Sequence, residues 1–159
     1  MRSAALVFAG VLLGSAVQSP PAGPGRIIGV NHVAITVDNF DDAIRFYNEK
    51  MGFPEVWRQT PGPNGLSNLA YVQVGRDTFI EVSRASANAR PGLAHVGMRV
   101  DNMAALLDRL KKADVEVNEP RKGTTATFTS GATDPWGIRY ELLEIGPESL
   151  QAQIIANYR

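Results

Sequence analysis

The sequence predicts an α+β fold in which two tandem β-α-β-β-β units join their sheets into an open, partly closed mixed β-barrel. Three observations predict it. The chain's only two histidines open matching phrases 63 residues apart, Asn31-His32-Val33-Ala34-Ile35-Thr36-Val37-Asp38-Asn39 and Ala94-His95-Val96-Gly97-Met98-Arg99-Val100-Asp101-Asn102. The same offset carries Phe40, Ala43, Ile44 and Tyr47 onto Met103, Leu106, Leu107 and Leu110, each set spaced as one face of a helix. Each helix is then followed by short strand-like runs broken by turn residues. One helix covers one face of its sheet, so the pairing of two such units leaves a concave interior.

The elements follow in order. Arg2, an apolar run from Ala4 to Leu13 and the small residues Gly14-Ser15-Ala16 read as a secretory signal peptide over residues 1–16. The run is shorter than the roughly 20 residues that span a bilayer. Residues 17–27, rich in Pro and Gly from Ser19 to Arg26, form a flexible lead-in. The first unit covers 28–84: a strand from the His32 phrase, a helix capped by Asp38-Asn39 and ended by Gly52, then strands Glu55–Gln59, Leu69–Val74 and Thr78–Ser83. Turns fall at Pro61-Gly62-Pro63-Asn64-Gly65 and Gly75-Arg76-Asp77, and Ala85–Pro91 is the connector. The second unit covers 92–146: a strand from the His95 phrase, a helix capped by Asp101-Asn102 and ending near Ala113-Asp114, then strands Val115–Val117, Ala126–Thr129 and Arg139–Ile145. Its turns are Ser130-Gly131 and Asp134-Pro135-Trp136-Gly137, and residues 147–159 are a C-terminal tail.

Charge and cysteine usage narrow the function. Sixteen basic and sixteen acidic residues balance, which points away from nucleic acid and other polyanions. The absence of cysteine leaves the core to hold the fold without disulfides, and leaves no thiol for a lipid anchor. The expected product is therefore periplasmic or secreted, and free of the membrane once the signal is removed.

Side chains alternate across a strand, so the sequence also sorts the faces. In the first strand Val33, Ile35 and Val37 face the helix, and His32, Ala34 and Thr36 face the concavity. In its counterpart Val96, Met98 and Val100 are buried, and His95, Gly97 and Arg99 face inward. Ala34 and Gly97 leave room above the imidazoles. The last strand of each unit turns Glu81 and Glu141 to the same surface, while Glu144 falls on the opposite face. Two neutral imidazoles and two carboxylates would neutralise a divalent ion, and zinc, nickel, cobalt, manganese or iron accepts such donors. Arg99 and Arg139, on the same face, are candidates for holding a substrate carboxylate; partnership with the glutamates is the competing reading. Arg121-Lys122-Gly123 lies in a loop, a solvated turn or a lid.

On these marks the chain resembles the vicinal oxygen chelate superfamily, the glyoxalase, bleomycin-resistance and dioxygenase group, from about Ile28 to Gly146. The marks are His32 opening the first strand, Ala43-Ile44-Arg45-Phe46-Tyr47 leading to Met51-Gly52-Phe53, and Phe79-Ile80-Glu81-Val82. His95 and Asp134-Pro135-Trp136-Gly137 before Tyr140-Glu141-Leu142 complete them. Matched residue by residue, the resemblance implies the glyoxalase I ligand set: His32, Glu81, His95 and Glu141. It implies a metal acting as Lewis acid on a small substrate with two neighbouring oxygens, while a carboxylate moves a proton. Glu141 is the first choice for that base and Glu81 the alternate. The methylmalonyl-CoA epimerase branch usually has Gln where this chain has Glu81. A ferrous-iron ring-cleaving dioxygenase is the alternative enzyme, although its further histidine has no counterpart here. A non-catalytic periplasmic module that binds a small molecule without turnover is the alternative outside enzymes. Family members build the site within one chain or across a homodimer, and the short connector is compatible with both.

Overall fold

The computed structural model describes residues 23–158, so the signal peptide reading and most of the lead-in lie outside the described residues. A single sheet of eight strands runs β2-β3-β4-β1-β5-β8-β7-β6 and does not close into a barrel. Its strands are β1 (Ile27–Val37), β2 (Glu55–Arg58), β3 (Leu69–Gly75), β4 (Thr78–Arg84), β5 (Gly92–Val100), β6 (Arg121–Lys122), β7 (Phe128–Thr133) and β8 (Arg139–Glu144). The two units meet where β1 and β5 pair antiparallel, and each of these strands pairs in parallel with the last strand of its own unit, β4 or β8. The four strands that carry the imidazoles and carboxylates are thus neighbours at the centre of the sheet.

The helices form where the apolar spacing predicts. The first, α1 (Phe40–Arg45), starts at Asn39, whose side chain accepts from the Asp42 N–H. It widens into a π-helical turn, Phe46–Lys50, and the chain reverses at Gly52 with φ 70°. The second, α2 (Met103–Lys112), starts at Asn102, whose side chain accepts from the Ala105 N–H. Phe40 and Ile44 bury against Ala70, Val72 and Val82, with Ala43 and Tyr47 beside them. Met103, Leu106 and Leu107 bury against Val100 and Leu142, with Leu110 alongside. Ile35 and Val37 join the first cluster as expected, but Val33 is 37% exposed and does not.

Several expectations are corrected. The lead-in is not free up to residue 27: Gly25 and Arg26 donate their N–H groups to Asp101 Oδ1, and Asn102 Nδ2 donates to the Gly23 carbonyl. Asp101 thus ties the incoming chain to the start of α2. Val115–Val117 is not a strand; Val117 makes only an isolated bridge to Ala132. Ser130-Gly131 is no turn but the middle of β7, where Gly131 lets Asn118 approach: a Cβ there would lie 2.8 Å from Asn118 Nδ2. Arg121-Lys122 is β6, paired with Thr129 and Phe128, rather than a free loop. The tail contains a third helix, α3 (Leu150–Ala156), capped by Ser149 and tied back by a Leu150 N–H bond to the Thr125 carbonyl.

Candidate metal centre

His32 reaches the site through an irregularity in β1. The register against β5 shifts between Val30 and His32, so the neighbours Asn31 and His32 are both fully buried where strict alternation would separate them. Asn31 then serves the imidazole: its Oδ1 lies 3.0 Å from His32 Nδ1. The Asn31 amide is held in turn by donating Nδ2 to the Asp77 carbonyl at 3.2 Å. With Nδ1–H committed to Asn31, the lone pair of Nε2 faces the concavity. Burial pushes the His32 pKa down to about 4, with the His95 ring pushing the same way and Glu141 opposing, so the ring is neutral at pH 7.

Gly97 makes room for this ring from the neighbouring strand. Gly97 pairs with His32, and Ala34 pairs with His95, so each imidazole stands opposite a small residue. A Cβ on Gly97 would lie 2.3 Å from His32 Cε1.

The four predicted donors come together. His32 Nε2 and His95 Nε2 are 3.0 Å apart. Glu81 Oε2 lies 3.8 Å and Glu141 Oε2 3.5 Å from His32 Nε2. Glu81 Oε1 lies 4.0 Å and Glu141 Oε2 3.7 Å from His95 Nε2. One ligand atom from each residue falls within 4.8 Å of all the others. Donors about 2.1 Å from a common cation stand about 3.0–3.4 Å apart in octahedral or tetrahedral arrangement, so this set is close to a coordination shell. Two neutral nitrogens and two carboxylates are also the donor chemistry a divalent ion requires. The residues fit the metal.

The carboxylates differ. Glu81 is 13% exposed, and its Oε2 accepts a 2.5 Å hydrogen bond from the Tyr71 hydroxyl on β3. Burial raises the Glu81 pKa, partly offset by that bond and by His95. Burial, reinforced by Glu81, also holds the Tyr71 phenol well above its usual range, so it stays a donor. Glu141 is 27% exposed. Glu144 does lie on the other face, where it accepts from the Met103 N–H at the start of α2.

A cavity of about 580 Å³ opens over the site, with Tyr71, Glu81, His95, Glu141 and Arg139 in its lining. The two arginines part company. Arg139 lines this cavity and also a second one of about 310 Å³ beside His95. Arg99 does not line it: paired with Gly29 at the far end of β5, its guanidinium bonds Asp77 Oδ2 at 2.7 Å. Neither arginine pairs with Glu81 or Glu141. Sequence reasoning missed Asn31, Tyr71 and Gln151. Asn31 stands directly before His32, but alternation assigns it to the wrong face; Tyr71 and Gln151 carry no spacing signal at all.

Fold and site together define a vicinal-oxygen-chelate protein: the chain belongs to the Glyoxalase/Bleomycin resistance protein/Dioxygenase superfamily, whose family model matches residues 29–142. It is similar to a probable lactoylglutathione lyase of Vibrio parahaemolyticus, 28% identical over 130 residues that cover 76% of this chain and 91% of the relative. Among solved structures it is similar to methylmalonyl-CoA epimerase from Mycobacterium tuberculosis, with TM-score 0.66, 25% identity, and coverage of 77% of this chain and 91% of that one. A Streptomyces coelicolor methylmalonyl-CoA epimerase variant in complex with 2-nitronate-propionyl-CoA shares the fold at TM-score 0.62 and 17% identity, covering 75% and 98% of the two chains.

Proposed function

We propose that this protein is a metal-dependent lyase or isomerase that moves a proton on a small substrate with two neighbouring oxygens. The observation that carries the reading is the convergence of His32, Glu81, His95 and Glu141 within 4.8 Å beneath a cavity. A divalent ion held by these four would supply Lewis-acid polarisation of the substrate oxygens. The chain supplies the rest. Asn31 holds His32 in the tautomer that presents Nε2. Glu141, the more exposed carboxylate, takes a proton from carbon next to the polarised oxygen and returns it to the neighbouring position. Arg139, in the cavity wall, is placed for an anionic substrate group. The names of the relatives, a probable lactoylglutathione lyase and an epimerase, support proton transfer over oxygen chemistry.

The test is a turnover screen of α-hydroxy, α-keto and catechol compounds in deuterated water with the natively loaded protein. Deuterium enters a carbon of an α-hydroxy or α-keto compound, and Glu141→Gln slows this by about 10²–10⁴-fold. Iron in the protein together with oxygen uptake on catechols would favour the ring-cleaving alternative instead, and metal-free protein would favour a binding module.

We also propose export, supported by the apolar segment Ala4–Leu13 and the small residues after it. An exported enzyme would act on a substrate other than a cytoplasmic glutathione adduct. The mass of the protein recovered from its native host should place the first residue near Val17; a retained Met1 would reject export.

A further inference from the structure

The two glutamates occupy matching places in the duplicated chain, yet their surroundings are unequal. Across the sheet from Glu81 stands Tyr71; across from Glu141, at the matching place on β7, stands Gly131. Tyr71 is 4% exposed and packs edge-on against the rings of His32 and Phe79, each at 5.9 Å. Its hydroxyl is therefore held in place when it donates to Glu81 Oε2. Gly131 offers Glu141 no comparable side chain.

A residue from outside both units shares the cavity wall with Tyr71. Gln151 of α3 lines the cavity and is 1% exposed. Its Oε1 accepts from Thr127 Oγ1 at 2.6 Å, and Thr127 Oγ1 accepts from Thr125 Oγ1 at 3.2 Å. This chain of hydrogen bonds orients the amide, with Nε2 at its free end. Among the described residues Nε2 has no acceptor at hydrogen-bond distance, and Gln151 shares the cavity wall with Tyr71. A buried amide donor without a partner is rare in proteins and asks for a reason. An amide N–H given to the phenol oxygen would strengthen the O–H that the same oxygen gives to a carboxylate, because hydrogen bonds in a chain polarise one another.

We propose that Tyr71 and Gln151 are positioning residues that hold the Glu81 carboxylate in place within the centre. The inference rests on the metal reading above and gives one of two carboxylates that the duplication makes equivalent a support the other lacks. It also gives α3 a role in the centre, since a helix beyond the repeat breaks the symmetry of the site.

The experiment titrates cobalt(II) into the metal-stripped full chain against a competing chelator, following the visible absorption bands. Tyr71→Phe and Gln151→Met remove the polar groups at nearly constant volume, and circular dichroism checks the fold. If Q151M does not fold, Q151E, which keeps an acceptor for Thr127, takes its place. Tyr71→Phe should weaken cobalt binding about 10–100-fold and change the bands, as loss of a residue supporting a ligand does. Gln151→Met should shift both in the same direction by less, and the double variant should match Tyr71→Phe, because Gln151 acts through the phenol. Glu81→Ala separates the two ideas. If Glu81→Ala weakens cobalt binding while Tyr71→Phe changes neither affinity nor bands, the positioning proposal is overturned and the metal reading stands. Effects of Tyr71→Phe and Gln151→Met that simply add would overturn the role of Gln151. A wild-type chain that takes up no cobalt would overturn both.

Discussion

His32 is held from two sides, by Asn31 at Nδ1 and by the empty space that Gly97 leaves across the strand pair. Neither contact is replaceable in a simple way. A methyl group on Gly97 would press into the imidazole at 2.3 Å, and the ring has no freedom to retreat because it is fully buried and bonded to Asn31. Gly97→Ala should therefore cost about 1–3 kcal/mol of stability, the usual range for overfilling a packed interior. Denaturant titration of metal-free protein measures this, and unchanged stability would show that the ring can move. At this scale the sequence was partly readable. The small residues at 34 and 97 were visible, but each serves the histidine on the other strand, which only the pairing register reveals.

The helices were legible because their apolar spacing and asparagine caps are local, and both caps form as expected. Of the strands after α2, β8 was legible, expected over Arg139–Ile145 and found at Arg139–Glu144, whereas Val115–Val117 forms no strand and Ala126–Thr129 is displaced to Phe128–Thr133. Gly131 carries the signature of a turn but sits in β7 because Asn118, far from it in sequence, needs the space. The stretch before β1 was misjudged for a similar reason: its Pro and Gly content suggests flexibility, while Asp101 binds it from 75 residues away. That tie is charge-dependent. The Asp101 pKa is lowered, first by the Arg26 backbone N–H, with the Arg26 side chain and the Gly25 N–H adding to it. A carboxyl lowered in the folded chain contributes stability that is full above its unfolded value, about 3.9, and is lost as pH falls through the lower folded value. Amide exchange at Gly25 and Arg26, corrected for its intrinsic pH dependence, should thus lose protection on acidification. Asp101→Ala should remove that protection at neutral pH; protection that survives in the variant would show another tether.

For the molecule as a whole, the central result is that one chain brings all four donors together. The connector left open whether the site forms within a chain or between two. The antiparallel meeting of β1 and β5 decides it, placing His32 and His95 in contact at 3.0 Å without a second copy. The expectation that follows is a centre completed within one chain. Metal content should accordingly be one ion per chain and should persist on dilution to monomer, as elemental analysis with light scattering would show. Metal released in step with dissociation would place the site between subunits.

Repetition, alternation and helix spacing are properties of neighbouring residues, so the duplicated architecture, its two helices and the inward side of four key strands could be read from the chain alone. The distances between the donors, the Asn31 bulge, the loss of Arg99 to Asp77 and the unequal neighbours of Glu81 and Glu141 could not. Each depends on which residue of a distant strand comes to lie opposite, and that is settled only when the whole sheet assembles.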